Sequence, residues 1–136
     1  MTKDPKRFLA YLDAERKASL LYRALAQTVT GDRREALIEL AAVEDEHATH
    51  WIAKLEEYGV EVPPAPTTLD AKDAGLIKRA RAAGLDGVLA HLEKAEGEGA
   101  GMYDDEPEAL ATMSADEREH AETFRAMRGT GVPEFT

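Results

Sequence analysis

Glu44 with His47 and Glu117 with His120 are two Glu-x-x-His pairs in one chain. Residues three apart share a helix face, so each pair aims a carboxylate and an imidazole the same way. Those are donors for hard or borderline cations such as iron, manganese or zinc. One such pair is commonplace on helices. Here the two lie in pentapeptides, EDEHA at 44–48 and EREHA at 117–121, that differ at one position. A second echo runs beside the first: Ala14-Glu15 is followed by Tyr22, and Ala95-Glu96 by Tyr103, at the same spacing of seven. The candidate ligand set is therefore Glu15, Glu44, His47, Glu96, Glu117 and His120. The chain has no cysteine, which excludes a disulfide framework, an iron–sulfur cluster and a thiolate zinc site.

These residues need elements to position them, and the hydrophobic period is helical nearly throughout. Asp4-Pro5 reads as an N-cap and first-turn proline opening a helix to about Val29. Asp32 and Glu35, at capping-box spacing, open a second helix to about Tyr58-Gly59. VEVPPAPTT is barred from helix by its prolines and reads as an extended crossover. A short amphipathic helix, Leu69 to Ala83, carries Lys78, Arg79 and Arg81 and stops at Gly84. A third helix covers about Leu85 to Asp104, and Pro107 opens a fourth that ends near Gly129. The reading is all-α: hairpin 4–58, crossover and accessory helix 59–84, hairpin 85–128, and a flexible tail 129–136.

All six candidate ligands fall on apolar stripes. Glu15 follows Phe8 and Leu12; Glu44 and His47 lie between Leu40 and Trp51; Glu96 follows Leu89 and Leu92; Glu117 and His120 lie between Met113 and Phe124. Buried carboxylates are costly unless neutralised, and a metal pair neutralises them. One glutamate from each of two helices plus Glu-x-x-His from each of the other two is the pattern of di-iron carboxylate four-helix bundles. The two halves read as duplicated hairpins related by a pseudo-twofold axis. The carboxylates of a half are 29 residues apart in the first (15 to 44) and 21 in the second (96 to 117), so the second hairpin is the shorter beyond the site. Which histidine joins which of Glu15 and Glu96 is left open by the spacing. Ser114 with Glu117 also has capping-box spacing; the in-phase stripe through Leu110 and Met113 favours the ligand reading for Glu117.

AERKASLLY, EDEHATHWIAKL and EREHAETF resemble the rubrerythrin branch of the ferritin-like superfamily, over the chain up to about Arg128. The crossover with its two prolines, the accessory helix and the short second hairpin are most similar to the ferritin-like domain at the N-terminus of some vacuolar-iron-transporter-type membrane proteins. The resemblance implies a ferritin-like four-helix bundle, two iron ions with manganese or zinc as substitutes, and the same six residues as catalytic ligands. It implies a ferroxidase that oxidises ferrous iron with dioxygen or hydrogen peroxide in iron storage, detoxification or efflux. It also implies a homodimer and a partner membrane iron-transporter domain. Two alternatives stand beside it: a rubrerythrin-like peroxide reductase, and a non-enzymatic iron-sensing or dimerisation module.

The chain departs from that family where a further glutamate is usual three residues after the third-helix ligand, because Gly99 stands there. This weakens the peroxidase alternative. Glu98 is a secondary ligand candidate, although two helical steps set it about 200° around from Glu96, so it joins only through a distortion such as a π-bulge. Gly97 and Gly101 share a face and read as allowing close helix packing. His50 and His91 lie beside the stripes, as surface or supporting residues. Tyr22 and Tyr103 read as core residues whose hydroxyls reach a ligand carboxylate.

At 136 residues and 43% hydrophobic, the chain is long enough for a single domain with its own core. A net charge of -10 argues against nucleic acid or an anionic membrane surface as a general partner and suits the gathering of cations. Glu39, Asp45, Glu46, Glu119 and Glu122 read as a solvated acidic face. No run approaches the roughly 20 apolar residues of a membrane span, so the expectation is a soluble, cytoplasmic domain.

Overall fold

The computed structural model describes residues 4–130, apart from the side chains of 129 and 130. Among these residues it is all-helical: α1 Arg7–Ala26, α2 Gly31–Glu57, α3 Ala71–Ala83, a 3-10 turn Leu85–Gly87, α4 Leu89–Asp104 and α5 Met113–Thr130. The chain divides into two compact units, residues up to 74 and residues from 75 on, with the division inside α3. Gly129 and Thr130 belong to α5, and the rest of the expected tail lies outside the described residues.

The first unit is the α1–α2 hairpin and the crossover strapped to it. Asp4 is not the N-cap expected of it: Lys6 holds that place without a side-chain capping bond, and Asp4 Oδ1 accepts from the Lys6 N–H at 2.8 Å before the helix. The first turns are 3-10 in type, with Arg7, Phe8 and Leu9 each donating three residues back, so regular helix begins only at Arg7. α1 stops at Ala26, short of Val29, because the Thr28 hydroxyl and N–H both turn back to the Leu25 carbonyl. The N-cap of α2 is Thr30, not Asp32, and it makes no side-chain capping bond. Its other end closes on Gly59, at φ +70°. There the Val60 N–H reaches the Leu55 carbonyl and the Gly59 N–H that of Glu56, the pairing of a Schellman motif, which favours glycine.

Hydrophobic and aromatic side chains lock this hairpin. Phe8, Leu12, Leu25, Leu37, Trp51 and Leu55 are fully buried. The Trp51 ring stacks on Phe8 at 5.1 Å between centroids, meets Tyr11 at 4.7 Å, and takes His50 edge-on at 4.8 Å. The crossover is non-helical from Val60 to Asp70, as its prolines require. Arg16 donates to the Pro63 carbonyl at 2.8 Å and tethers it to α1. Asp70 then caps α3, accepting from the Asp73 N–H at 2.8 Å.

The second unit holds the α4–α5 hairpin, and its boundaries depart furthest from the sequence reading. Gly84, at φ +83°, ends α3 as expected. Beyond it the chain makes a 3-10 turn and enters α4 at Leu89, instead of forming one helix from Leu85. Pro107 does not open the last helix; it sits in a turn, and α5 starts six residues later at Met113. The cause is Glu106, which is buried and uses Oε2 to accept from the Glu108 N–H at 3.0 Å. Ala109 donates to the Glu106 carbonyl and Met113 to that of Leu110, so the segment makes two successive turns and leaves Leu110 exposed. Ser114 donates to the Ala100 carbonyl at 3.2 Å, tying the start of α5 to α4. As the spacing predicts, this hairpin is short beyond its candidate ligands: Glu117 is the fifth residue of α5, whereas Glu44 is the fourteenth of α2.

Candidate metal centre

In the first hairpin α1 supplies Glu15 and α2 supplies Glu44 and His47. All three are buried, at 2%, 1% and 2% exposure. His47 Nδ1 stands 3.1 Å from Glu15 Oε2 and 3.6 Å from Glu44 Oε1. One donor atom from each of the three lies within 4.8 Å of the others. Two donors at right angles on one octahedral ion, with bonds of about 2.1 Å, lie about 3 Å apart, so the trio is near ligating geometry.

The second hairpin repeats this arrangement. α4 supplies Glu96, and α5 supplies Glu117 and His120, at 3%, 5% and 4% exposure. His120 Nδ1 is 3.5 Å from Glu96 Oε1 and 3.7 Å from Glu117 Oε1. One donor atom from each of these, too, lies within 4.8 Å of the others. These separations exceed the ~2.7–3.2 Å of a well-formed hydrogen bond, so this trio is the looser of the two.

Within each hairpin the histidine lies nearest the glutamate of the partner helix, His47 to Glu15 and His120 to Glu96. Sequence periodicity shows that a residue faces inward but not which neighbour it meets.

Glu98 is exposed on a regular α4, without the π-bulge that would have turned it inward, and stands apart from its hairpin's trio. Gly97 and Gly101 are exposed too, and a Cβ on either would meet nothing within 4 Å among the described residues, so they serve no close packing there. Close approach occurs at Gly99, where a Cβ would lie 3.1 Å from Glu117 Oε2. Tyr22 and Tyr103 are buried, and His50 and His91 half-buried. Glu39, Asp45, Glu46, Glu119 and Glu122 are all exposed, as a solvated face requires.

Two buried polar residues escaped the sequence reading. Ser19 is one turn beyond Glu15 and continues its stripe, so its burial was readable from the four-residue step. Glu106 gave no such signal, because DDEPE looks like a solvated charge run and only the turn it closes explains its burial.

Each hairpin carries an interhelical strap beside its candidate ligands, with the charges exchanged. Arg23, next to Tyr22, donates to Asp45, next to Glu44, at 2.5 Å; Arg118, next to Glu117, donates to Asp104, next to Tyr103, also at 2.5 Å. The Arg118 guanidinium holds the Asp104 carboxyl below the ordinary carboxylate range, with help from the Ser114 hydroxyl. A lowered pKa means that the carboxylate's stabilising contribution is complete at neutral pH. It is lost as pH falls from the ordinary value of about 3.9 through the lowered one. Unfolding curves of the wild type and Asp104→Asn should therefore differ at pH 7 and converge as acid protonates Asp104; a gap independent of pH would refute this.

Among the described residues no helix is long and apolar enough to cross a membrane. Comparison of the chain with protein-family models, curated proteins and solved structures gives no match.

Proposed function

We propose that the two trios act together as one di-iron carboxylate centre and that the chain is a ferroxidase, oxidising ferrous iron with dioxygen or hydrogen peroxide. The observation that carries this reading is the repetition of a buried Glu, Glu, His trio in both hairpins, with donor atoms gathered in each. A single buried trio has a structural explanation as a satisfied histidine. Two trios at equivalent positions give four carboxylates, whose four negative charges match two divalent cations.

The donor set fits the proposed metals: four carboxylates, two imidazoles and no thiolate suit iron or manganese, with zinc as a substitute. Glu15, Glu44 and His47 from the first hairpin and Glu96, Glu117 and His120 from the second would hold the metal. Bound iron would supply two-electron reduction of the oxidant. The chain's own part is to hold six donors in place and exclude bulk water. The four-helix, ferritin-like arrangement of the hairpins belongs to this proposal, as do a homodimer and a role beside a membrane iron transporter.

The experiment is an anaerobic ferrous titration of the metal-free protein followed by exposure to oxygen. About two irons per chain and near-ultraviolet absorption of a diferric product are expected. Binding of fewer irons, or no absorption change on oxidation, would refute the proposal.

A further inference from the structure

We infer that Gly99 is a positioning residue for Glu117, a vacancy in α4 that receives its carboxylate and sets its direction toward His120; this rests on the metal-centre reading above. Gly99 is one helical turn beyond Glu96 and so lies on the same face of α4. From α5, Glu117 presents its two oxygens differently. Oε1 is 3.7 Å from His120 Nδ1. Oε2 lies against α4, 3.1 Å from where a Cβ on residue 99 would be, with Cγ and Cδ at 3.9 Å.

At 3.1 Å that contact is tighter than nine in ten contacts a real Cβ makes. A side chain at 99 therefore displaces the carboxylate by a few tenths of an ångström or rotates it. Either shift acts on the whole trio, because Glu117, Glu96 and His120 must bring their donors to one point.

Helix geometry alone does not require the glycine. Glycine inside a helix is unfavourable relative to alanine, and residue 99 is in regular α4 without a positive φ. Gly97 and Gly101 carry the same penalty on the same helix and face open space. The matching position in the first hairpin, three beyond Glu15, is Ala18.

Gly97 and Gly101 supply the control, since Gly97→Ala and Gly101→Ala raise helix propensity in α4 as Gly99→Ala does and add no contact. The metal-free proteins are titrated anaerobically with Co(II), followed by calorimetry and by the visible absorption of the bound ion, which reports ligand geometry without turnover. Gly99→Ala should bind about 10- to 100-fold more weakly, the loss typical when a group that orients a metal ligand is altered, and its absorption bands should shift. Gly97→Ala and Gly101→Ala should superimpose on the wild type.

Glu117→Asp, which draws the carboxylate back by one methylene, is the second variant. It weakens binding by itself, and adding Gly99→Ala to it should cost no more than about a further twofold, because the clash is gone. A Gly99→Ala protein that binds and absorbs like Gly97→Ala overturns the inference while the metal centre stands. So does a Gly99→Ala chain that fails to fold even with Glu117→Asp. A wild type that takes up no Co(II) overturns the metal-centre reading, and this inference with it.

Discussion

Glu44→Gln is expected to lower iron oxidation by at least about 100-fold, since losing a supporting group alone costs 10- to 100-fold in many metal sites. The same substitution should leave the metal-free protein as stable as the wild type or more stable. The reason is the composition of the trio: one histidine faces two carboxylates, all three buried. Glu15, at 3.1 Å, is closer to His47 than Glu44 is at 3.6 Å. His47 thus keeps a carboxylate neighbour when Glu44 becomes an amide of the same size. Removing one partner of a buried pair costs about 3–5 kcal/mol when it leaves the other charge uncompensated, and Glu15 spares His47 that loss.

Metal reverses the order. At a free concentration about 100 times its dissociation constant, a bound ion stabilises the native state by about 2.7 kcal/mol, or roughly 10 °C in Tm for a chain of this size. The wild type should show that rise on titration with ferrous iron under argon, and Glu44→Gln should not. A variant that loses stability without metal and keeps its iron oxidation would mark Glu44 as an ordinary structural carboxylate.

Trp51→Ala is expected to cost about 3–5 kcal/mol of stability, the range for removing a buried large aromatic side chain. That is a large fraction of the ~5–15 kcal/mol that holds a typical domain folded. Trp51 is fully buried and packs on Phe8 and Tyr11 from α1 and on His50 from its own helix. It is four residues beyond His47 on the same face of α2. The cavity left by alanine should loosen His47 as well as the hairpin, so metal binding should weaken in the fraction that stays folded. Trp51→Phe, which keeps a ring against Phe8, should lose less on both counts. Chemical denaturation followed by circular dichroism, with a Co(II) titration of each variant, measures the two effects. A Trp51→Ala protein within about 1 kcal/mol of the wild type would show that the ring stack contributes little.

Much of the candidate site was legible in the order of residues. Glu15, Glu44, His47, Glu96, Glu117 and His120 fall on apolar stripes because the helical period is a local property, and a polar residue in phase with such a stripe announces its own burial. Gly84 and the prolines of the crossover were legible for a similar reason, since each restricts its own backbone wherever it occurs. Helix starts were less so. α5 began at Met113 because the Glu106 side chain bonded back to the Glu108 N–H, and a charged residue in a charged run gives no sign that it will turn inward.

What the sequence determined by itself, then, was the helical class, the positions of the six inward donors and the duplicated pattern that relates them. Each follows from residue types at short spacing. Tertiary structure decided which donors meet: Glu15 with His47 in one hairpin, and Glu96 with His120 in the other. It also left Glu98 outside and showed that Gly99, among the glycines of α4, is the one against which a carboxylate from the neighbouring helix rests. Contacts between helices depend on how two backbones approach, on lengths of a few tenths of an ångström that no spacing within one helix encodes.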